Sequence, residues 1–98
     1  MQLEGLRSAI EEKDREIIRL IAERMKIVQE IAGEKERQGL PVRISDQAQT
    51  VLIRACEESA ILGIDPVPVK EIFSILIRMS EESQDKHRKS KGISIPLE

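Results

Sequence analysis

The sequence contains few aromatic residues, cysteines, glycines and prolines. Its 98 residues include one phenylalanine and no tryptophan or tyrosine, so it lacks the aromatic platform on which single-stranded nucleic acid stacks. The single cysteine, Cys56, excludes an intrachain disulfide and is expected to be a small apolar side chain within a helix. Five glycines and four prolines provide few breaks, and together with 35% charged residues they favour an all-α helical bundle.

Signals for targeting, membrane insertion and cofactor binding are also missing from the sequence. It shows no signal peptide and no long apolar run, so we expect a cytoplasmic protein that does not enter a membrane. It shows no Gly-rich phosphate loop and no histidine pair at metal-ligand spacing, so no metal or cofactor is predicted. An enzyme built from these residues would hold a small dianion in a reactive shape with fixed positive charges.

Three helices are predicted from the residues at their ends. Gly39 ends the long first helix, and Ser45 is the predicted N-cap of the second. The Asp65-Pro66 pair caps the third helix and places a proline in its first turn. The predicted ranges are about 2–38, about 45–63, and from 66 to about 87 or beyond. The predicted core positions are Val51, Leu52 and Ala55 on the second helix and Val69, Ile72, Phe73, Leu76 and Ile77 on the third.

The first helix carries an apolar seam that charged residues interrupt. Its positions alternate in steps of four and three, which is typical of a helix that packs along its whole length. They are Leu3, Arg7, Ile10, Asp14, Ile17, Ile21, Arg24, Val28, Ile31 and Lys35. A cationic side chain in such a seam costs desolvation unless an anion meets it. The pattern therefore indicates either buried ion pairs or an anionic ligand held between helices.

The spacing of the three seam cations predicts a shared site. Arg24 and Lys35 lie roughly 16 Å apart on nearly the same face, so their long side chains can reach one small molecule. Arg7 lies roughly 25 Å from Arg24 along a straight helix, which is too far for one small ligand. A helix of roughly 55 Å also cannot be buried within one small domain. The first helix therefore needs a partner along its length, and if Arg7 serves the same kind of site, we expect it to come from the other subunit of a symmetric homodimer.

The end of the third helix has two interpretations. Ser80 and Gln84 share a face where the core stripe turns polar. Either the helix emerges into solvent there, or the two side chains line a pocket together with the cations. Residues 86–91 are basic, which is typical of a solvated helix end rather than a nucleic-acid site. His87 is expected to be exposed, and residues 92–98 to be extended.

These residues resemble the all-α chorismate mutases. That family has an arginine near the start of a long first helix, a second arginine seventeen residues on, and a lysine eleven residues later, which correspond to Arg7, Arg24 and Lys35. It has a serine and a glutamine four apart late in the third helix, which correspond to Ser80 and Gln84. The segment Ile-Ala-Glu-Arg at 21–24 and the Leu-Pro-Val turn at 40–42 also match. The resemblance covers residues 3–87, and we predict a chorismate-mutase-like domain over 1–88 with a tail over 89–98.

The resemblance implies an intertwined homodimer that converts chorismate into prephenate, on the route to phenylalanine and tyrosine. By resemblance, Arg24 and the partner subunit's Arg7 would bind the two carboxylates of the substrate. Lys35 and Gln84 would hydrogen-bond the ether oxygen as its bond breaks, with Ser80 among the binding residues. A cation aimed at an oxygen that gains negative charge stabilises the transition state more than the ground state.

The sequence departs from the family at the start of the second helix. The family usually has an Arg-Glu pair there, which contacts the ring carboxylate and the hydroxyl of the substrate, and this chain has Gln47 and Ala48. An acidic residue often found three positions earlier is Ile44 here. Gln47 can still hydrogen-bond the substrate, Ala48 cannot bind a hydroxyl, and Arg43 is a candidate replacement for the missing cation.

Two other functions fit the same residues. A related helical family eliminates pyruvate from isochorismate in a similar cationic pocket, and the loss of a hydroxyl ligand at Ala48 favours that reaction slightly. A non-catalytic dimerisation or regulatory module would instead show buried Arg–Glu pairs in the seam. The sequence does not decide between chorismate and isochorismate.

Overall fold

The computed structural model describes residues 2–94, with side chains described for residues 2–89. The described chain is all-helical, with α1 at Gln2–Gln38, α2 at Ser45–Ile61 and α3 at Pro66–Ser94. The chain is elongated, with extents of 65 × 29 × 16 Å. The predicted all-α class and the three predicted helices are confirmed. No helix among the described residues is both long and apolar enough to cross a membrane.

The helix ends follow local backbone chemistry. Gly39 and Gly63 adopt φ angles of 71° and 73°, a left-handed conformation that glycine adopts without steric cost at a helix C-terminus. Asp65 Oδ1 accepts a hydrogen bond from the Val67 backbone N–H at 3.0 Å, so the predicted cap of α3 is confirmed.

Two predictions near helix ends were wrong, namely the serine cap of α2 and the extended backbone of residues 92–94. Ile44, with no side-chain cap, is the N-cap of α2, and Ser45 is already helical. The Ile44 carbonyl accepts the backbone N–H groups of Gln47 and Ala48, so the helix starts one residue earlier than a serine cap would place it. Residues 92–94 belong to α3 and are not extended. Residues 95–98 lie outside the described residues, and the division of the chain at residue 88 remains a prediction.

The third helix organises the packing, because α3 contacts both α1 and α2. The buried apolar side chains within the described residues are few: Val28, Ala32, Val42, Ala55 and Leu76. The predicted core positions Val51, Leu52, Val69, Phe73 and Ile77 are half-buried. Ile72 was predicted to be buried but is 54% exposed, because it lies off the stripe that runs through Phe73 and Leu76.

The N-terminal half of α1 projects from this small core. Every residue from 2 to 20 is exposed, and six large apolar side chains there are between 54% and 66% exposed: Leu3, Leu6, Ile10, Ile17, Ile18 and Leu20. Apolar side chains of this size are normally covered in a stable protein. The single chain therefore leaves a long apolar face that its own helices do not cover.

Candidate active site

A cavity of about 320 Å³ lies where the three helices meet. This volume is at the lower end of the range for small-molecule sites. Its charged and polar lining residues are Arg24, Lys35, Gln47, Arg54, Ser80, Glu81 and Gln84. Its apolar lining residues are Ile27, Val28, Ile31, Val42, Ile44, Ala48, Val51 and Ile77. The cavity thus combines apolar walls with a small set of convergent polar groups.

Arg24 reaches this cavity from α1 and is fixed by α3. Its Nη1 donates a hydrogen bond to Ser80 Oγ at 2.8 Å and a longer one to the Leu76 carbonyl at 3.4 Å. The Ser80 hydroxyl in turn donates to the same carbonyl at 2.9 Å. Both bonds to Arg24 use Nη1, and a guanidinium has five N–H donors in a fixed plane. The remaining donors allow Arg24 to bind a carboxylate without leaving this position.

Lys35 is held at the other end of the cavity. Its Nζ donates to the Val42 carbonyl at 2.6 Å and to Gln84 Oε1 at 2.9 Å. An ammonium group has three donors, so one N–H remains for a ligand. Because Gln84 Oε1 accepts from Lys35, the other end of the Gln84 amide, its NH₂ group, is available as a donor. The pair therefore offers hydrogen-bond donors to an oxygen in the cavity.

Burial lowers the pKa of the Lys35 ammonium below its ordinary value, and the nearby Arg88 lowers it further. The Glu81 carboxylate acts in the opposite direction and raises the pKa. Desolvation disfavours the charged form of a lysine, and a neighbouring cation does the same. The site therefore holds a partly desolvated cation, which an anionic ligand would stabilise.

The two interpretations of the end of α3 are resolved by burial. Ser80 is 9% exposed and Gln84 is 5% exposed, so α3 does not emerge into solvent at these residues. Both side chains face the cavity and hydrogen-bond the two cations of α1. Of the six predicted site residues, the structure thus gathers Arg24, Lys35, Gln47, Ser80 and Gln84. Their part in binding and catalysis remains a prediction.

Arg7, the sixth predicted site residue, does not line this cavity. It lies on the exposed N-terminal half of α1, seventeen residues before Arg24. The single chain therefore does not bring Arg7 to the other five residues, in agreement with the distance of roughly 25 Å expected along a helix.

The wall formed by α2 contains a cation that the sequence argument missed. Gln47 and Ala48 both line the cavity, as their sequence positions predicted. Arg54 lines it too, on the face that it shares with Gln47 and Val51. The spacing of four and three between these positions was visible in the sequence, but only the packing of α2 on α3 places this face in the same cavity as Arg24.

Arg43 does not replace the missing cation inside the cavity. Its guanidinium donates to both carboxylate oxygens of Asp85, at 3.4 Å and 2.8 Å, and its Nε lies 3.4 Å from Glu81 Oε1. Its side chain is 58% exposed, and it is not among the described residues that line the cavity. The hypothesis that Arg43 compensates for Gln47 is therefore not supported by this arrangement.

His87 is also placed differently from its prediction. Its side chain is 25% exposed, and its Nε2 lies 3.5 Å from Glu36 Oε1, so it packs against α1 instead of facing solvent. Cys56 is a half-buried free thiol within α2, as predicted. Within the described residues, no group of three His, Cys, Asp or Glu side chains could hold a metal ion.

A known family and a known protein resemble this chain over most of its length. The sequence model of the family "Chorismate mutase type II" matches residues 6–85, a range that includes all six predicted site residues. The T-protein of Enterobacter agglomerans is 27% identical over 84 residues, which cover 86% of this chain and 22% of that relative. The chain thus spans about a fifth of the length of this relative. No solved structure matches this chain significantly. The chain belongs to the chorismate mutase type II family, a family of isomerases.

Proposed function

We propose that this protein converts chorismate into prephenate, on the route to phenylalanine and tyrosine, without a metal or cofactor. The observation that carries the proposal is the fixed pair of cations. Arg24 and Lys35 extend from one helix, are held by Ser80 and Gln84 of another, and face one cavity of ligand size. Membership of the family supports the identity of the reaction.

The first task of the site is to hold the substrate in its reactive shape. Chorismate has two carboxylates, which we assign to Arg24 and to the partner subunit's Arg7. Planar guanidinium groups bind carboxylates through two parallel hydrogen bonds, which fix orientation as well as position. Holding both carboxylates brings the two carbon atoms that must bond close together, and such positioning accounts for much of the barrier reduction in reactions of this kind.

The second task is to stabilise the transition state. In this rearrangement a C–O bond breaks while a C–C bond forms, and no proton moves. The ether oxygen gains negative charge as its bond breaks. The free N–H of Lys35 and the NH₂ group of Gln84 are the donors that we assign to this oxygen. Because both are already fixed by hydrogen bonds, little reorganisation is needed when the charge develops.

The proposal includes a homodimer that is intertwined along α1. The uncovered apolar face of residues 3–20 supports this, since burying each large aliphatic side chain stabilises an assembly by about 1.5–3 kcal/mol. The exposed Arg7 on the same segment supports it as well. A partner chain paired along α1 would bring its Arg7 to the cavity and complete the set of carboxylate ligands.

Two alternative functions compete with the conversion of chorismate into prephenate. Ala48 is the observation that favours pyruvate elimination from isochorismate, because its methyl group cannot hold a ring hydroxyl. A non-catalytic module would show buried Arg–Glu pairs in the seam, and here Arg24 and Lys35 are bonded to Ser80 and Gln84 instead.

The products formed from chorismate and from isochorismate distinguish the three functions. Purified protein is incubated with each compound, and the products are separated by chromatography. We expect prephenate from chorismate and no enzyme-dependent release of pyruvate from isochorismate. Pyruvate as the main product, from isochorismate, would favour the elimination. No product from either compound would favour the non-catalytic module.

A further inference from the structure

The charge distribution of the cavity contains one feature that dianion binding does not explain. Three cations line the cavity: Arg24, Lys35 and Arg54. Glu81 lines it too, and it is the one carboxylate among the described lining residues. A carboxylate in a site for anions repels the ligand unless it is neutralised or meets a hydrogen-bond donor. The position of Glu81 therefore calls for a specific partner in the ligand.

Glu81 is held in place from outside the cavity. It directly follows Ser80 on α3, and its side chain is 27% exposed. Arg43 contacts it through Nε, 3.4 Å from Oε1, while the rest of the guanidinium binds Asp85. This ion pair reduces the charge that Glu81 presents to an anion, and a carboxylate has lone pairs on both oxygens for further hydrogen bonds. Glu81 can thus accept a hydrogen bond without repelling the ligand as strongly as an unpaired carboxylate would.

The wall formed by α2 does not provide an equally strong acceptor. Ala48 has no polar side-chain atom, and Gln47 is an exposed neutral amide. A hydrogen bond to a carboxylate is roughly twice as strong as one to a neutral acceptor. Within the described lining of the cavity, Glu81 is therefore the strongest acceptor for a hydroxyl donor.

We propose that Glu81 accepts a hydrogen bond from a hydroxyl group of the bound anion, and so selects ligands that contain a hydroxyl group as well as carboxylates. The assignment of this ligand as chorismate, with its ring hydroxyl, rests on the function proposed above. In this arrangement α3 provides the hydroxyl ligand, and Arg43 acts as the positioning residue of Glu81.

A comparison of two compounds tests the proposal. The compounds are chorismate and its analogue that lacks the ring hydroxyl, and both turnover and binding are measured. The wild-type protein should prefer chorismate by about tenfold to a hundredfold, the range expected for one charge-assisted hydrogen bond. Glu81→Val should lose this preference, because it should bind and convert chorismate less well than the wild type does. Its binding and turnover of the analogue should equal those of the wild type.

Two further variants keep the test interpretable. Glu81→Gln retains the shape of the side chain with a weaker acceptor, so it should show an intermediate preference even if Glu81→Val does not fold. Glu82→Val changes the neighbouring exposed glutamate, which is not among the described lining residues, and should retain the wild-type preference. Circular dichroism establishes that each variant is folded.

The outcomes separate this proposal from the proposed reaction. Equal losses for both compounds in Glu81→Val would overturn it, because Glu81 would then act only through the charge of Lys35. A wild-type protein that binds both compounds equally would overturn it as well. If chorismate binds but no prephenate forms, the proposed reaction fails, while the dissociation constants still test the role of Glu81. If the protein binds neither compound, both proposals are overturned.

Discussion

Replacing Lys35 with methionine removes one charge from the cavity and leaves a side chain of similar length. In the structure Nζ donates to the Val42 carbonyl at 2.6 Å and to Gln84 Oε1 at 2.9 Å, and it has one donor left for a ligand. The variant Lys35→Met loses all three donors. It therefore tests whether this ammonium group stabilises the charge that develops on the ether oxygen.

The expected loss of activity is larger than the expected loss of stability. Removing one preorganised donor from a site of developing negative charge lowers kcat by about 100-fold to 1000-fold. The substitution leaves the buried Gln84 Oε1 and the Val42 carbonyl without their donor, which costs roughly 1–3 kcal/mol each if water does not replace it. Methionine relieves the desolvation of the ammonium, which offsets part of this cost. We expect a clearly smaller effect on unfolding than on catalysis.

The pH dependence gives a second, independent measure. Burial and Arg88 lower the pKa of Lys35. The value of kcat/KM should therefore fall as pH rises, and this fall should begin at a lower pH than the pKa of an ordinary lysine would give. Stability changes in the opposite direction. The unfolded chain holds this proton more tightly, so the cost of burying the charge is present at neutral pH and is relieved as pH rises from the folded pKa towards 10.5. The loss of activity is therefore not caused by alkaline unfolding through this group.

The assay is the steady-state conversion of chorismate, followed from pH 6 to 10 with thermal unfolding measured alongside. Lys26→Met is the matched control, because Lys26 is exposed on the same helix and is not among the described residues that line the cavity. If Lys35→Met keeps kcat within about threefold of the wild type, or keeps the alkaline fall in kcat/KM, Lys35 does not have the role assigned to it.

Three further predictions concern assembly and binding. The melting temperature should rise with protein concentration, because no folded monomer is expected; a concentration-independent value with a monomeric sedimentation mass would contradict the dimer. Arg7→Ala and Arg24→Ala chains should each be inactive, whereas a mixed heterodimer should regain activity because one of its two sites has neither mutation; an inactive, verified heterodimer would place both arginines in one chain's site. Gln47→Arg should lower the KM for chorismate by up to about tenfold, because it adds a cation to the wall formed by α2. The effect should be smaller than that of a buried ion pair, because Gln47 is exposed. An unchanged KM would mean that the substrate does not reach this wall.

The helices could be predicted because their end signals are local. Gly39 and Gly63 adopt the backbone conformation that ends a helix, and the Asp65-Pro66 pair begins one. The cap of α2 was misplaced because a serine at the helix start is favourable but not required, and the Ile44 backbone serves without it. Such errors of one residue are decided by a single hydrogen bond.

The candidate site could be predicted in part, for a different reason. Spacing along one helix places Arg24 and Lys35 on one face, so their convergence is visible in the sequence. The contributions of Arg54 and Glu81 depend on how α3 packs against α1 and α2, and no local pattern contains those packing angles. The same holds for Arg43, whose partner Asp85 is 42 residues away along the chain.

The most direct test of the account is the rate of prephenate formation from chorismate by Arg24→Ala. Arg24 is fixed by Ser80 at one end of the cavity, and its loss would leave a substrate carboxylate without its partner. The control is Arg19→Ala, an exposed arginine of the same helix that lies off the seam and is not among the described lining residues. We predict that the wild type and Arg19→Ala form prephenate at similar rates with or without a chelator, and that Arg24→Ala loses at least about 100-fold in kcat/KM. Turnover by Arg24→Ala near the wild-type rate would contradict the assignment of this cavity as the active site.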